Sequence, residues 1–469
     1  MYSRREFLTA GAGAVGTSLV ALGSVAPRGL LAQEAPVPDL TAREASVQLA
    51  PPDYAPTRIW GYEGSTPGPV IRVGQNTRVT RRLVNDLPQA TSIHWHGVRI
   101  DNSMDGVAGL TQEAVAPGEA FNIDFVAPDA GTYWYHAHTR SVEQVARGLY
   151  GALVVEEPDA PDVDRDVVLI LDDWLLNPET AQIDPDFTSR HDRSHAGRIG
   201  NFVVTNGDFD HRIEVRRHER LRLRLVNAAN ARIFELSLAG LEGWVLALDG
   251  MPLDAPQVVS GSFLLGPGQR ADLFVDVVAD AGETAYLVRV DDGKGYAQAA
   301  FPVSGDGGKA RREAPAALAP NPNTAPPDLA EARSLRLDMA GGAMGRLRSA
   351  VLDGKRRTFR QLVDMNQFWS FNGVIGMTEE PLAELGFGEV VRLEIANDTA
   401  FPHAMHLHGM HFREIGPSGA LGPLRDTSLI FGGEVREIAF IADNRGDWLF
   451  HCHMLSHAAS GMTTWLRVL

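Results

Sequence analysis

Residues 451–462 read HCHMLSHAASGM and contain Cys452, the only cysteine in the 469-residue chain. The cysteine stands directly between two histidines, and the same segment holds His457 and Met462, whose side chains also bind metals. A chain with a single cysteine cannot form an intramolecular disulfide. The segment therefore indicates a metal site rather than a structural cross-link.

Four short motifs hold ten of the 15 histidines of the chain. Side chains two residues apart on a strand point to the same face, so the motifs give four same-face pairs. Eight imidazoles in such pairs could hold a polynuclear metal cluster, whereas hydrogen-bonded structural histidines are the alternative. The motifs are His94-Trp95-His96, His136-Ala137-His138, His403-Ala404-Met405-His406-Leu407-His408, and His451-Cys452-His453 with His457.

Strand geometry directs Cys452 to the face opposite its two histidine neighbours. There it could join His403, His457 and Met462 in a separate site. A thiolate, two imidazoles and a thioether are the ligands of a blue copper centre, whereas zinc usually takes several cysteines or keeps a water position. Met462 alone could be core packing, but its position ten residues after the cysteine favours an axial ligand. The covalent path through Cys452 would link this site to the cluster.

Short apolar and β-branched runs, separated by Gly, Pro, Asn and Asp, continue from Ser46 onwards. Their alternation is typical of half-buried strands in antiparallel sandwiches. A sequence pattern that consists of a polar residue, an alternating strand and an asparagine recurs at residues 74–85, 219–227 and 388–397. Three copies of one β-domain fit this pattern better than one large sheet.

The predicted all-β chain divides into three domains, residues 36–158, 159–310 and 331–469. Residues 311–330 belong to a stretch rich in Pro, Ala and Gly without an apolar period, which indicates a linker. The histidine motifs fall only in the first and third domains, two in each.

Residues 1–32 resemble a twin-arginine export signal, since Ser3-Arg4-Arg5-Glu6-Phe7-Leu8 precedes an apolar run that ends near Ala26. A retained membrane anchor is the alternative, but the run is only mildly apolar. We therefore expect a periplasmic protein that meets the twin-arginine translocase during export. The net charge of −16 and the absence of a basic block argue against a nucleic-acid partner.

The four motifs resemble those of the multicopper oxidases, the family of laccases, bilirubin oxidases and cuprous oxidases. The resemblance also includes residues 92–106, 133–139 and 148–156, and it extends over essentially the whole chain after the signal. It implies three cupredoxin domains, which are Greek-key β-sandwiches, with a copper cluster between the first and third domains. It also implies a type 1 copper in the third domain, and we expect a monomer.

Carried over position by position, the resemblance implies four copper ions, and no ligand position is substituted. The type 1 ion would take His403, Cys452, His457 and Met462; the type 2 ion, His94 and His406; one type 3 ion, His96, His136 and His453; and the other type 3 ion, His138, His408 and His451.

Two acids are also candidates for a role in catalysis. Asp105 matches a family acid that assists proton delivery to the cluster, although an Asp before Gly106 could simply form a turn. Asp426 matches an acid near the type 1 histidine that orients the imidazole or contacts a substrate, with a strand-edge Asp as the alternative. Ser456 and Ala458 stand where many bacterial relatives carry Glu, which puts the proton supply in doubt.

The resemblance implies a laccase-like enzyme that takes single electrons from phenols or aromatic amines and reduces dioxygen to water. A periplasmic cuprous oxidase that takes Cu(I) is the close alternative, but Met339, Met344 and Met365 are too few for a dedicated copper funnel. A copper-free structural or division protein conflicts with the complete ligand set. His191 and His195 are expected to be solvated loop residues, which could clip a metal only if the loop is helical.

Overall fold

β-Strands form almost all of the regular structure, which confirms the all-β class. The computed structural model describes residues 37–307 and 310–469. The predicted signal, residues 1–32, lies outside the described residues. No helix within the described ranges is long and apolar enough to cross a membrane.

Residues 39–156 form two four-stranded sheets, here called the first sandwich. Trp95 packs against Phe125 of the other sheet with ring centroids 5.0 Å apart, so His94 and His96 point away from the core. The sheet orders are β2-β1-β4-β6 and β3-β8-β7-β5. The elements are β1 Asp39–Val47, β2 Thr57–Tyr62, β3 Ile71–Gly74, β4 Arg78–Asp86, β5 Ile93–His96, a 3-10 turn Asn102–Met104, β6 Ala120–Val126, β7 Gly131–Ala137, α1 Ser141–Ala146 and β8 Tyr150–Glu156.

Residues 165–306 form the second sandwich, with a six-stranded and a five-stranded sheet. Its central strand reads RLRLRLVN; the leucines enter the core, and the arginines are buried on the other face, where Arg222 pairs with Asp272 at 2.6 Å. The elements are β9 Arg165–Trp174, α2 Arg190–Ser194, β10 Phe202–Thr205, β11 Val215–Arg217, β12 Arg220–Asn227, β13 Phe234–Ala239, β14 Leu241–Leu248, β15 Met251–Val258, β16 Phe263–Leu265, β17 Arg270–Val277, β18 Thr284–Asp291 and β19 Lys294–Asp306.

Residues 333–468 form the third sandwich. Its five-stranded sheet has the order β24-β32-β31-β26-β29, which places the two strands that carry the third and fourth motifs side by side. The elements are β20 Arg333–Gly341, β21 Ser349–Leu352, β22 Lys355–Thr358, α3 Phe359–Asp364, β23 Trp369–Phe371, β24 Ala383–Leu385, β25 Val390–Asp398, β26 His403–Leu407, β27 Phe412–Ile415, β28 Leu421–Arg425, β29 Thr427–Ile430, β30 Val435–Ile441, β31 Gly446–Cys452, α4 Leu455–Ala458 and β32 Thr463–Val468.

The segment between the second and third sandwiches packs along the first sandwich. Asn321 exchanges two hydrogen bonds of 2.8 Å with the backbone of Ala130, and Arg99 donates to the carbonyl of Pro322. Residues 37–469 together form one compact unit, so the domain boundaries drawn from the sequence remain a prediction.

Candidate metal centres

Antiparallel pairing brings the motifs together two by two. His94 on β5 lies opposite His136 on β7, and His406 on β26 lies opposite His451 on β31. The ring centroids within the four predicted same-face pairs are 4.8 to 5.8 Å apart. The first and the third sandwich therefore each present a patch of four imidazoles.

The two patches face each other across the contact between the first and third sandwiches. His94 stacks on His408 with ring centroids 3.9 Å apart, and His96 stacks on His406 at 3.7 Å. His138 meets His451 edge to face at 5.5 Å. The structure thus gathers all eight predicted cluster histidines into a single site.

Hydrogen bonds set which ring nitrogen of these histidines faces the site. His94 and His406 direct Nδ1 to the carbonyls of Asp105 and Asp426, at 2.8 and 3.0 Å. An Nδ1–H that donates to a carbonyl leaves the lone pair on Nε2. The Nε2 atoms of both rings, and of His136, are buried without a hydrogen-bond partner. Buried acceptors are rarely left unpaired, so these atoms fit metal ligands.

A short distance between two ring nitrogens also indicates a metal site. The Nε2 atoms of His408 and His451 are 3.1 Å apart, and the Nδ1 atoms of both rings face oxygen acceptors on Asp105 and Cys452. Two lone pairs that converge in this way repel each other unless a cation lies between them. The ligand atoms of His138, His408 and His451 lie within 4.8 Å of one another, as one predicted type 3 site requires.

The remaining predicted ligand sets are also neighbours. The rings of His96 and His136 lie 4.9 and 5.3 Å from the ring of His453. The type 2 candidates His94 and His406 are 5.7 Å apart. The donor set fits a copper cluster, while the division of the eight histidines among three ions stays a prediction.

Burial lowers the pKa of most of these imidazoles and so favours the neutral form, which is the form that binds a metal. Burial lowers the pKa of His138 to about 3, with a further contribution from the neighbouring His94. It also holds the pKa values of His136, His451 and His453 well below their usual range.

Asp105 lies between histidines of the two sandwiches. Its carboxylate accepts a hydrogen bond from Nδ1 of His408 at 2.9 Å, while its backbone carbonyl accepts one from His94. The next residue, Gly106, has φ +81°, and a Cβ there would lie 1.8 Å from the carbonyl oxygen of Ile93. The turn therefore requires glycine, and it brings the carboxylate to the cluster.

The structure corrects the expected position of Asp426, which lies beside the cluster and not beside the type 1 histidine. Strand register explains the difference. In the β26–β29 pair, His406 lies opposite Thr427 and His403 lies opposite Ile430. Asp426 is therefore at the His406 end of the pair, four residues along the strand from the position opposite the predicted type 1 ligand His403.

The second sandwich contributes Arg270 to the cluster wall. Its guanidinium donates to both carboxylate oxygens of Asp426, at 2.6 and 2.9 Å, and both side chains are fully buried. Burial alone would raise the pKa of Asp426, but the charge of Arg270 and hydrogen bonds from His96 and His406 hold it well below its usual range. The resulting carboxylate accepts a hydrogen bond from Nε2 of His96 at 3.2 Å. The Nδ1 of His96 has no hydrogen-bond partner, so it is the ring nitrogen left to face the site.

The predicted type 1 ligands meet on the other face of β31. Sγ of Cys452 lies 3.6 Å from Nδ1 of His403 and 3.8 Å from Nδ1 of His457, and the two nitrogens are 3.0 Å apart. Met462 is fully buried in the same core, and its carbonyl accepts the backbone N–H of Cys452. Burial raises the pKa of the Cys452 thiol to about 12, so metal binding must supply the energy to deprotonate it.

Residues 190–198 of the second sandwich cover the predicted type 1 site. The carbonyl of His195 accepts a hydrogen bond from Nε2 of His457 at 2.7 Å, and Trp369 packs on the same imidazole. His457 is consequently fully buried. The segment does contain a short helix, α2, and the ring of His191 on this helix stacks on the ring of His195, the residue after its end, with centroids 4.2 Å apart. No local sequence signal identifies this cover, because a backbone carbonyl makes the contact.

Comparison with known proteins agrees with the geometry. Residues 44–160, 165–304 and 354–469 each match a multicopper oxidase family domain. The chain is 40% identical to Lac15 from a marine microbial metagenome, covering 92% of this chain and 100% of that one with a TM-score of 0.75. It is 30% identical to a multi-copper oxidase from Pseudomonas thermotolerans, with coverage of 92% and 98% and a TM-score of 0.80.

A curated relative, the multicopper oxidase MmcO of Mycobacterium tuberculosis, is 29% identical over 91% of this chain and 85% of its own length. Further relatives bear the names of laccases and of copper resistance proteins. The chain belongs to the multicopper oxidase family and is a copper-dependent oxidoreductase.

Proposed function

We propose that the protein is a laccase-like oxidase with four copper ions, one type 1, one type 2 and two type 3. Single electrons from phenols or aromatic amines would enter at the type 1 site, and dioxygen would be reduced to water at the cluster. One observation carries the proposal. Strand β31 directs Cys452 into one donor set and His451 and His453 into the other.

Bound copper would supply the one-electron chemistry. The protein contributes position and proton handling. Cys452 connects the two donor sets covalently through the backbone on either side of it. Asp426 and Arg270 fix the orientation of His96 and His406, and Asp105 holds the Nδ1 proton of His408. Asp105 is therefore the proposed acid that exchanges protons on the cluster side.

A cuprous oxidase is the second candidate, and the cover over the type 1 site favours it. A bulky phenol cannot touch the buried ring of His457, whereas a small ion can approach the covering backbone closely. The methionines give little support. Met339 is fully buried in the core of the third sandwich, whereas Met344, Met365 and Met377 are exposed.

Export to the periplasm by the twin-arginine translocase, and action as a monomer, belong to the same proposal. The Arg-Arg motif near the start of the sequence supports export. Fractionation of cells that express the full chain, compared with an Arg4→Lys, Arg5→Lys variant, tests the export. Size-exclusion chromatography with light scattering tests the monomer.

The copper-loaded enzyme tests the main proposal. We expect four coppers per chain, a strong blue absorption, and oxygen uptake with an aromatic donor. A protein that binds no type 1 copper contradicts the proposal. Turnover of Cu(I) and of a phenol, measured without added copper, separates the two candidates, since phenol oxidation that requires added copper indicates a cuprous oxidase.

A further inference from the structure

A cavity of about 510 Å³ opens beside the histidine cluster. His138 and His451, which belong to one predicted type 3 site, form part of its wall. His138 is half-buried, whereas the seven other cluster histidines are buried. The cavity is therefore a route by which solvent approaches the cluster.

The wall of this cavity also contains the position at which the chain departs from its family. Ala458, on α4, lines the cavity, and it stands at a position where the family resemblance implies Glu. The other lining side chains include apolar groups, such as Val142 and Leu455, and polar or basic ones, such as Thr188 and Arg193. Glu143 is the single carboxylate among the lining residues, and it comes from α1 of the first sandwich. An acid from another element thus faces the space that the missing acid would share.

The contacts of Glu143 hold its side chain in place without enclosing it. Its Oε1 accepts a hydrogen bond of 2.9 Å from Nε of Arg147, one helical turn further along. The Arg147 guanidinium lies against the rings of Trp60 and Phe187, at 4.6 and 4.8 Å. The side chain of Glu143 remains 22% exposed, and its Oε2 accepts no hydrogen bond from the described part of the chain.

We propose that Glu143 relays protons from solvent into this cavity and replaces the carboxylate that is absent at Ala458. This inference rests on the proposed function, because reduction of one dioxygen to two waters consumes four electrons and four protons. For each proton, the Glu143 carboxylate binds H⁺ from solvent and donates it to a water in the cavity. It thereby returns to the anion, with no net change in the residue.

The charged groups around the relay favour this cycle. Arg140 and Arg193 line the same cavity, and Arg147 contacts the carboxylate directly. Glu143 is thus the one carboxylate among the cationic and neutral groups of the described cavity wall, so it is the acidic group there that can carry a proton from solvent. The cluster side of the cavity presents the neutral imidazoles of His138 and His451, which do not compete for it.

Three variants of the copper-loaded full chain test the relay. Glu143→Gln keeps the shape and removes the titratable group, and we expect turnover to fall by about 100-fold, as for loss of a general acid. Glu156→Gln removes a surface carboxylate that pairs with Arg72 and does not line the cavity, so turnover should change little. Adding Ala458→Glu to Glu143→Gln should restore most of the lost rate.

Two further readouts separate a relay from a structural role. Infrared difference spectra between oxidised and reduced enzyme should show a carboxyl band that Glu143→Gln lacks and Glu156→Gln keeps. The solvent isotope effect on turnover should increase in Glu143→Gln, while its blue absorption and copper content stay unchanged. Unaltered turnover, isotope effect and infrared spectra in Glu143→Gln would overturn the relay alone. A wild-type chain without blue absorption or oxygen uptake would overturn the proposed function itself.

Discussion

The Arg270–Asp426 ion pair offers a test that does not depend on copper. It joins the second sandwich to the histidine cluster, and both partners are fully buried. Arg270→Met keeps a side chain of comparable length but removes the charge and two hydrogen bonds to Asp426. The carboxylate would then be buried without a cation, and the carbonyls of Thr132 and Gly268 would each lose a donor.

Removal of one partner of a buried ion pair destabilises a protein by about 3–5 kcal/mol, because the other charge stays buried and uncompensated. We expect a loss of this size at neutral pH. In the wild type, the lowered pKa of Asp426 gives stability above its unfolded pKa, which is lost as pH falls through the folded value. Without Arg270, burial raises that pKa, so the penalty grows as pH rises and shrinks toward acid.

The measurement is the free energy of unfolding of the copper-free protein by urea titration, at pH 7 and at lower pH. Copper is removed because its charge would partly compensate Asp426. Arg82→Met, which breaks the exposed pair with Asp39, is the control and should have little effect. A loss below about 1 kcal/mol in Arg270→Met, or one equal to that of the control, would refute the reasoning, since the buried-pair value is several times larger.

Three further predictions concern the copper ligands and Asp105. Cys452→Ser should lose the blue absorption and one copper per chain, and retention of the colour would contradict the type 1 assignment. Burial lowers the pKa of His138 to about 3 and that of His457 to about 4. The stability of the copper-free protein, measured by thermal unfolding, should therefore fall as the pH drops from about 6.5 toward 4. A stability that does not change over this pH range would show that these rings are not held in the neutral form by burial. Asp105→Asn should lower turnover by about 100-fold and shift its pH profile with copper content unchanged, whereas an unchanged profile would remove Asp105 from proton transfer.

The grouping of the candidate ligands into two donor sets was predictable because strand parity is a local property. Two histidines separated by one residue share a face wherever the strand lies, and the intervening Cys452 takes the other face. The contact between the two histidine patches could be expected only from the family resemblance, because no feature in the sequence of β5 indicates that it lies next to β26. Strand parity does not distinguish the two roles considered for Met462, because burial in the core suits packing and axial ligation equally.

The position of Asp426 depends on register between strands, which the sequence does not encode locally. Asp426 lies a few residues along the strand from the position opposite His403, and this distance places its carboxylate beside one predicted metal centre and not beside the other. Arg270 was also missed, since the preceding Pro267-Gly268 turn signals only a loop. The turn has a second task, because a Cβ at Gly268 would lie 3.0 Å from the rings of His96 and His453.

The carbonyl of His195 has a practical consequence for engineering the donor range. An electron donor in solution meets a peptide group before it meets the imidazole of His457. That peptide belongs to residues 190–198, which supply no predicted copper ligand. We therefore expect that the segment can be shortened or exchanged to admit bulky dyes or an electrode surface, while the strands that carry the predicted copper ligands keep their sequence.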